Sequence, residues 1–150
     1  MSHIPYSYNR LYATRYSFIS MGKRPVLKIA EFTPTKIKNI FNLGFGDLLA
    51  NGKIDDKTSS NNGDIVRVMS TVIDIIKDFT RDKPDIKIMF TGSTLQRTNL
   101  YHRILSTYYF PFSKDFKITA LAKNEDGNEE TPFDAEYKGS YLAFFVKRII

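Results

Sequence analysis

The chain has 150 residues, of which 42% are hydrophobic, 14% aromatic and 25% charged, a composition typical of one ordinary globular domain. It has no cysteine and two histidines, which excludes disulfides, thiol nucleophiles, thiolate metal sites and histidine-rich metal sites. No apolar run approaches the roughly 20 residues that cross a bilayer, and the N-terminus lacks the apolar block of a secretory signal. We therefore predict a single cytoplasmic domain over residues 1–150, without a membrane segment or a structural metal, in which residues 1–15 can form an N-terminal arm.

The basic charge is concentrated at the N-terminal end of the chain. The formal net charge is +6, and the first 40 residues account for all of it, with seven Lys and Arg against Glu31 alone. We predict a basic N-terminal region whose contact residues are Arg10, Arg15, Lys23 and Arg24. Such a region suits a nucleic acid, a nucleotide or an acidic protein. The alternative is a solvated strand face that binds nothing.

Tyrosines interleave with the first two of these arginines. They are Tyr6, Tyr8, Tyr12 and Tyr16. Aromatic rings beside guanidinium groups suit the stacked bases and phosphates of a single strand. They equally suit an N-terminal strand that packs on the sheet.

Three β-rich runs, at residues 16–20, 26–32 and 40–45, predict an antiparallel meander, because the turn formers Gly22, Pro25 and Pro34 separate them. Residues 47–64 are polar and predict a long loop, or a short hairpin followed by a loop. Four carboxylates occur there: Asp47, Asp55, Asp56 and Asp64. They are hard ligands for Ca²⁺ or Mg²⁺, yet they lack the regular spacing of an EF-hand, so we interpret them as turn and cap residues and predict no metal site.

The next segment predicts an amphipathic helix of about four turns. Its apolar residues recur at spacings of three and four: Ile65, Val68, Met69, Val72, Ile73, Ile76 and Phe79. Asn62 or Asp64 is the candidate N-cap, and Lys83-Pro84 ends the helix. Residues 86–90, IKIMF, then predict a short strand buried on both faces.

The following stretch, TGSTLQRTNLYHRIL, predicts a second helix that stops before Pro111. Two interpretations of its start remain open. Ser93 and Gln96 fit a capping box, which would leave the helix start without a further role. Alternatively, Ser93 and Thr94 with the first amides hold a phosphate or carboxylate, and Arg97 clamps it one turn further on.

Residues 116–122 and 141–150 predict two C-terminal strands, with Asp126-Gly127 at the tip of the turn that follows the first of them. The predicted fold class is therefore α+β. An antiparallel meander is followed by helix, strand, helix and two strands, and one mixed sheet packs with two main helices. His102 has no serine or cysteine pattern beside it and is interpreted as a surface residue.

This order of elements, with Leu100-Tyr101 in the second helix, resembles the core of the GCN5-related acetyltransferases. The resemblance implies that acetyl-coenzyme A is the cofactor and that Tyr101 is the acid that protonates the departing thiolate. It implies a cofactor cradle near the start of the first helix, where this chain has a single Gly63 followed by Asp64.

The runs FNLGFGD, IDDKTSSNNGD, FTGSTLQRTNLY and YLAFFVKR are similar to a family of short bacterial single-domain proteins of unknown function. That resemblance implies a bacterial cytoplasmic setting and no particular reaction. We favour a binding protein that uses the anion site of Ser93, Thr94 and Arg97 together with the basic N-terminal region. The alternatives are a divergent acyltransferase and a toxin–antitoxin or phage-defence component. The sequence predicts no oligomeric state.

Overall fold

The computed structural model describes residues 4–55, 62–91 and 94–149, except for the side chains of Arg97 and Asn124. The chain divides into two compact units. Unit 1 comprises Met1–Thr33 and Gly44–Lys83, and unit 2 comprises Pro34–Leu43 and Pro84–Ile150. That residues 1–150 fold as a single domain stays a prediction.

Unit 1 is built on an antiparallel three-stranded meander and one long helix. Its elements are β1 (Tyr8–Tyr12), β2 (Arg15–Met21), β3 (Pro25–Pro34), the later part of β4 (Ile40–Leu48), β5 (Ile54–Asp55) and α1 (Ile65–Thr80). β2 pairs with β1 on one side and β3 on the other. β5 pairs antiparallel with the end of β4 through Asp47↔Asp55 and Leu48↔Ile54. A short hairpin is therefore present in the first part of residues 47–64, whereas residues 56–61 lie outside the described residues.

Side chains along β2 and β3 alternate between the two faces of the sheet, and those on one face form the core of unit 1. Tyr16, Phe18 and Phe32 are almost fully buried, as expected for residues that share one face of a sheet. The apolar stripe of α1 is buried as well. The rings of Phe32 and Phe79 stack with centroids 3.9 Å apart, and this contact joins the meander to the helix.

Unit 2 contains the first residues of β4 and the C-terminal half of the chain. Its other elements are β6 (Lys87–Phe90), α2 (Leu95–Thr107), α3 (Tyr109–Ser113), β7 (Phe116–Asn124), β8 (Gly127–Pro132) and β9 (Tyr141–Arg148). β4 and β6 are parallel, whereas β6–β9, β9–β7 and β7–β8 are antiparallel. The core includes Ile88, Ile118, Phe144 and Val146.

The structure confirms an α+β protein with a mixed and mostly antiparallel sheet. The acetyltransferase-like order is not confirmed. None of the described helices has the length and the apolar character that a membrane-spanning segment requires.

Several elements differ from the sequence-based expectation for clear physical reasons. β8 is a strand although its sequence, GNEETP, lacks an alternating apolar pattern, because pairing with β7 satisfies its backbone groups. β1 is the N-terminal strand that was one of the two alternatives for the tyrosine-rich segment, and it pairs with β2. β6 is fully buried on one face only, since Lys87 and Met89 alternate with the buried Ile88 and Phe90. α1 ends at Thr80, before Lys83-Pro84.

The turn between β2 and β3 is held by the segment that precedes α1. The backbone N–H of Lys23 donates to the carbonyl oxygen of Asn62 at 2.7 Å. The Asn62 side chain accepts a hydrogen bond from the Arg24 N–H at 2.9 Å and donates to the Arg24 carbonyl oxygen at 2.5 Å. A Cβ atom on Gly22 would lie 1.8 Å from the Asn62 carbonyl oxygen, so only glycine allows this approach.

We expect Gly22→Ala to lower the free energy of unfolding by about 1–3 kcal/mol, because the added methyl group must displace backbone atoms of Asn62. Urea denaturation measures the change. Gly44→Ala is the matched control, since a Cβ atom there would have its nearest contact at 3.8 Å, with the Glu31 carbonyl oxygen. Equal stability of the two variants would contradict the close approach.

Candidate functional site

An open groove lies between α2 and the loop that joins β8 to β9, within unit 2. Its volume is about 590 Å³, which falls within the range of small-molecule sites. We call it the α2 groove. Its lining consists of Asn99, His102, Arg103, Ser106, Thr107, Ala135, Lys138, Gly139 and Ser140.

The helical wall of the groove follows from the period of α2. Asn99, His102, Arg103 and Ser106 are three and four residues apart, so their side chains share one face of the helix. Thr94, Arg97 and Tyr101 are also spaced by three and four, at positions that belong to another face. The groove is therefore distinct from the anion site predicted at the helix start.

The loop wall is fixed by hydrogen bonds and ring packing. The Phe133 N–H donates to the Ile118 carbonyl oxygen at 3.2 Å, and the Asp134 N–H donates to the Tyr141 hydroxyl oxygen at 3.1 Å. The rings of Tyr137 and Tyr141 stack with centroids 4.3 Å apart. Burial raises the pKa of the Tyr141 hydroxyl, so this group stays neutral while it holds the loop.

His102 connects the two walls. Its ring centroid lies 5.3 Å from those of Phe133 and Tyr141 and 6.1 Å from that of Phe144. Its Nε2 atom is buried and has no hydrogen-bond partner among the described residues. The interpretation of His102 as a surface residue is therefore replaced by a half-buried ring packed among aromatic side chains.

The charged residues of the groove lining are all basic. Arg103 comes from the helical wall and Lys138 from the loop wall, and both are exposed. The lining contains no carboxylate. Two cations without a lining anion favour a negatively charged ligand over a neutral or positive one.

The groove was missed by the sequence analysis because its two walls are more than 25 residues apart in the chain. The helical pattern of polar residues at positions 99, 103 and 106 was the available signal. It is also the ordinary pattern of a solvated helix face, so only the structure distinguishes the two.

The predicted helix-start site is only partly within the described residues. Ser93 and the Arg97 side chain lie outside them. Thr94 is exposed, and its carbonyl oxygen accepts hydrogen bonds from the Thr98 N–H at 3.0 Å and the Thr98 hydroxyl at 3.1 Å. Tyr101 is half-buried, with its ring 6.0 Å from that of Phe90. The anion site and the acid role of Tyr101 stay predictions.

The four residues of the predicted basic region lie at the two ends of β2. Arg10 and Arg15 are at its beginning, whereas Lys23 and Arg24 are in the turn after its end. A strand of this length spans roughly 20 Å. Lys23 and Arg24 are exposed, and Asn62 fixes the backbone that carries them.

Arg10 and Arg15 have carboxylate partners within unit 1. Arg10 lies 3.5 Å from Asp78 and 5.2 Å above the ring of Tyr16. Arg15 lies 3.2 Å from Glu31. Asp78 also accepts a hydrogen bond from the Tyr16 hydroxyl at 2.7 Å. Part of the basic excess of the N-terminal region is therefore balanced inside the fold.

Asp64 is the centre of a polar cluster beneath the N-terminal segment. It occupies the N-cap position of α1 without a side-chain cap hydrogen bond. Its Oδ2 atom accepts hydrogen bonds from the hydroxyls of Tyr6 and Ser20, each at 2.6 Å. Tyr6 is also held by Arg67, whose guanidinium lies 4.0 Å above its ring. Asp64 therefore joins three segments of the chain.

The electrostatics of this cluster favour an ionised Asp64. Burial alone would raise the pKa of this carboxyl. The hydrogen bonds from Ser20 and Tyr6 and the nearby charge of Lys28 outweigh burial and lower the pKa below its ordinary value. Burial and the bond to Asp64 raise the pKa of Tyr6, so that hydroxyl remains a donor.

The described carboxylates of residues 47–64 form no cluster of three. Asp47 pairs with the ammonium group of Lys28, Asp64 is committed to two hydroxyls, and Asp55 is in β5. Asp56 lies outside the described residues. Within residues 4–55, 62–91 and 94–149, no three acidic or histidine side chains form a cluster that could hold a metal ion.

Fold and groove together define a small α+β protein with an open groove that carries cations on both walls. The chain belongs to the family of unknown function DUF6934, whose model matches residues 3–149. This match confirms the resemblance to a single-domain family without an assigned function, and the acetyltransferase resemblance is not confirmed. No curated protein and no solved structure matches the chain.

The lowered pKa of Asp64 predicts a loss of stability in acid. A carboxyl whose pKa is lower in the folded chain than in the unfolded chain stabilises the fold. This contribution is fully present above the unfolded pKa of about 4, and it is lost as the pH falls through the folded pKa. Tyr6→Phe removes one donor, so we expect the pKa of Asp64 to rise and the free energy of unfolding near neutral pH to fall by about 1.5–3 kcal/mol.

A carboxyl-carbon NMR titration of Asp64 and urea denaturation between about pH 6 and pH 3 measure the two effects. Tyr12→Phe is the control, because Tyr12 is 69% exposed. A pKa of Asp64 that is unchanged in Tyr6→Phe would contradict the role of the Tyr6 hydroxyl.

Proposed function

We propose that this protein is a binding protein for a small anionic ligand, which it holds in the α2 groove. The proposal rests on one observation. Arg103 and Lys138 lie on opposite walls of one groove, and its lining contains no carboxylate. An anion placed between them would gain charge-assisted hydrogen bonds from both sides.

The packing of the loop wall supports the same function. The hydrogen bonds and ring contacts of the loop around Tyr141 hold the wall that carries Lys138 in place before a ligand arrives. A wall that is already ordered loses less conformational freedom on binding, which favours affinity.

The helix-start residues Ser93, Thr94 and Arg97 remain a second proposed anion contact on the same helix. The acyltransferase and the toxin–antitoxin or phage-defence roles remain alternatives, and no described contact favours them over a binding protein. For the acyltransferase, the discriminating measurement is calorimetry with acetyl-coenzyme A, compared between the wild type and Tyr101→Phe.

We expect inorganic phosphate and pyrophosphate to perturb amide NMR signals of α2 and of residues 135–140. The variant Arg103→Ala/Lys138→Ala should weaken binding by at least roughly 10-fold, because each lost hydrogen bond to a charged group is worth about 1.5–3 kcal/mol. Lys123→Ala is the control, because Lys123 is an exposed cation of the same unit that does not line the groove. Perturbations that persist unchanged in the double variant would overturn the site.

We further propose that the turn of Lys23 and Arg24 contacts a nucleic acid or another extended polyanion. Its support is that both side chains are exposed on a turn fixed by Asn62, whereas Arg15 is half-buried. A half-buried cation presents less of its charge to an extended polyanion.

Lys23→Ala/Arg24→Ala should therefore reduce the slope of log affinity against log salt by about 2 on a single-stranded oligonucleotide. Arg10→Ala/Arg15→Ala, which removes the same charge, should change it less. Fluorescence anisotropy over a salt series measures both slopes. Equal effects of the two variants, or binding that does not depend on salt, would contradict this assignment.

A further inference from the structure

The two hydroxyl groups on the helical wall of the α2 groove donate their protons to backbone carbonyl oxygens of the same helix. The Ser106 hydroxyl donates to the His102 carbonyl oxygen at 2.8 Å, and the Thr107 hydroxyl donates to the Arg103 carbonyl oxygen at 2.9 Å. A hydroxyl has one proton and two lone pairs. Towards a ligand, these two side chains therefore act as acceptors.

A neutral His102 that carries its proton on Nε2 adds a third acceptor to this wall. Its Nε2 atom is buried near the rings of Phe133, Tyr141 and Phe144, where an N–H can interact favourably with a π face. In a neutral imidazole, a proton on Nε2 leaves Nδ1 as the acceptor. Nδ1 is then the nitrogen that a ligand in the groove can reach.

Besides Asn99 and Ser140, which can donate and accept, the groove presents two kinds of group. Ser106, Thr107 and His102 offer lone pairs, whereas Arg103 and Lys138 offer only donors and positive charge. An anion that carries acceptors alone would satisfy the cations and leave the three acceptors to water. A ligand that carries both a negative group and several hydroxyls satisfies both kinds.

We propose that the ligand of the α2 groove is a phosphorylated sugar, whose phosphate lies between Arg103 and Lys138 and whose hydroxyls donate to Ser106, Thr107 and His102. A phosphate monoester carries a charge of about −1.5 to −2 at neutral pH, which matches two cations better than a single carboxylate does. This inference rests on the proposed anion-binding function and specifies the class of its ligand.

The test compares two phosphate esters of similar size by calorimetry on the full chain. Glucose 6-phosphate has ring hydroxyls, and cyclohexylmethyl phosphate has none. We expect glucose 6-phosphate to bind at least 10-fold more tightly. Equal affinities, or tighter binding of cyclohexylmethyl phosphate, would overturn the sugar class and leave the anion-binding function intact. No binding of either ester or of inorganic phosphate would overturn the anion-binding function itself.

Two further measurements isolate the acceptors. Ser106→Ala/Thr107→Val removes two hydroxyl oxygens from the helix surface, so we expect weaker binding of glucose 6-phosphate and unchanged binding of cyclohexylmethyl phosphate. An equal loss for both esters would contradict the acceptor role. Long-range ¹H–¹⁵N NMR spectra of the free protein report the tautomer of His102. A proton on Nε2 supports the assignment, and a proton on Nδ1 would remove His102 from it.

Discussion

The packing of the His102 ring against Phe133, Tyr141 and Phe144 is the contact on which the geometry of unit 2 depends. These rings belong to α2, to the start of the loop between β8 and β9, and to β9 itself. Aromatic contacts of this kind add to the free energy of simple area burial. Because the same ring lines the α2 groove, the interaction that fixes helix and loop also sets the distance between the two walls of the proposed site.

The charges of unit 1 show why net charge alone is a poor guide to a binding surface. Arg10, Arg15 and Lys28 each lie beside a carboxylate of the same unit, and their charge is partly neutralised before any partner arrives. Lys23 and Arg24 are exposed on a turn whose backbone bonds to Asn62. The count of +6 therefore overstates the charge that a polyanion would meet.

The sequence predicted the elements whose apolar period is strong, left the N-terminal strand open as one alternative, and missed β8, which depends on a partner strand. α1 was recognised because seven apolar residues repeat at helical spacing, and β2 and β3 because β-rich runs stand between turn formers. The strands β1 and β8 have no such pattern, and their backbone groups are satisfied only when a neighbouring strand is present. Asp64 was a candidate N-cap of α1, and it does occupy that position. Its carboxylate, however, accepts hydrogen bonds from Tyr6 and Ser20 and not from the first turn of α1. The α2 groove forms where two segments that are distant in the chain meet. Local sequence patterns do not show which distant segments are in contact.

The bonds of Asn62 to the β2–β3 turn have a consequence for how this chain can vary. Asn62 binds Lys23 and Arg24, and α1 begins three residues later at Ile65. The length of the short spacer from Asn62 to Ile65 therefore fixes the rotation of α1 relative to the β2–β3 hairpin. Among related chains, we expect no length changes within this spacer, because one added residue would rotate α1 by about 100° and turn its apolar stripe away from Phe32.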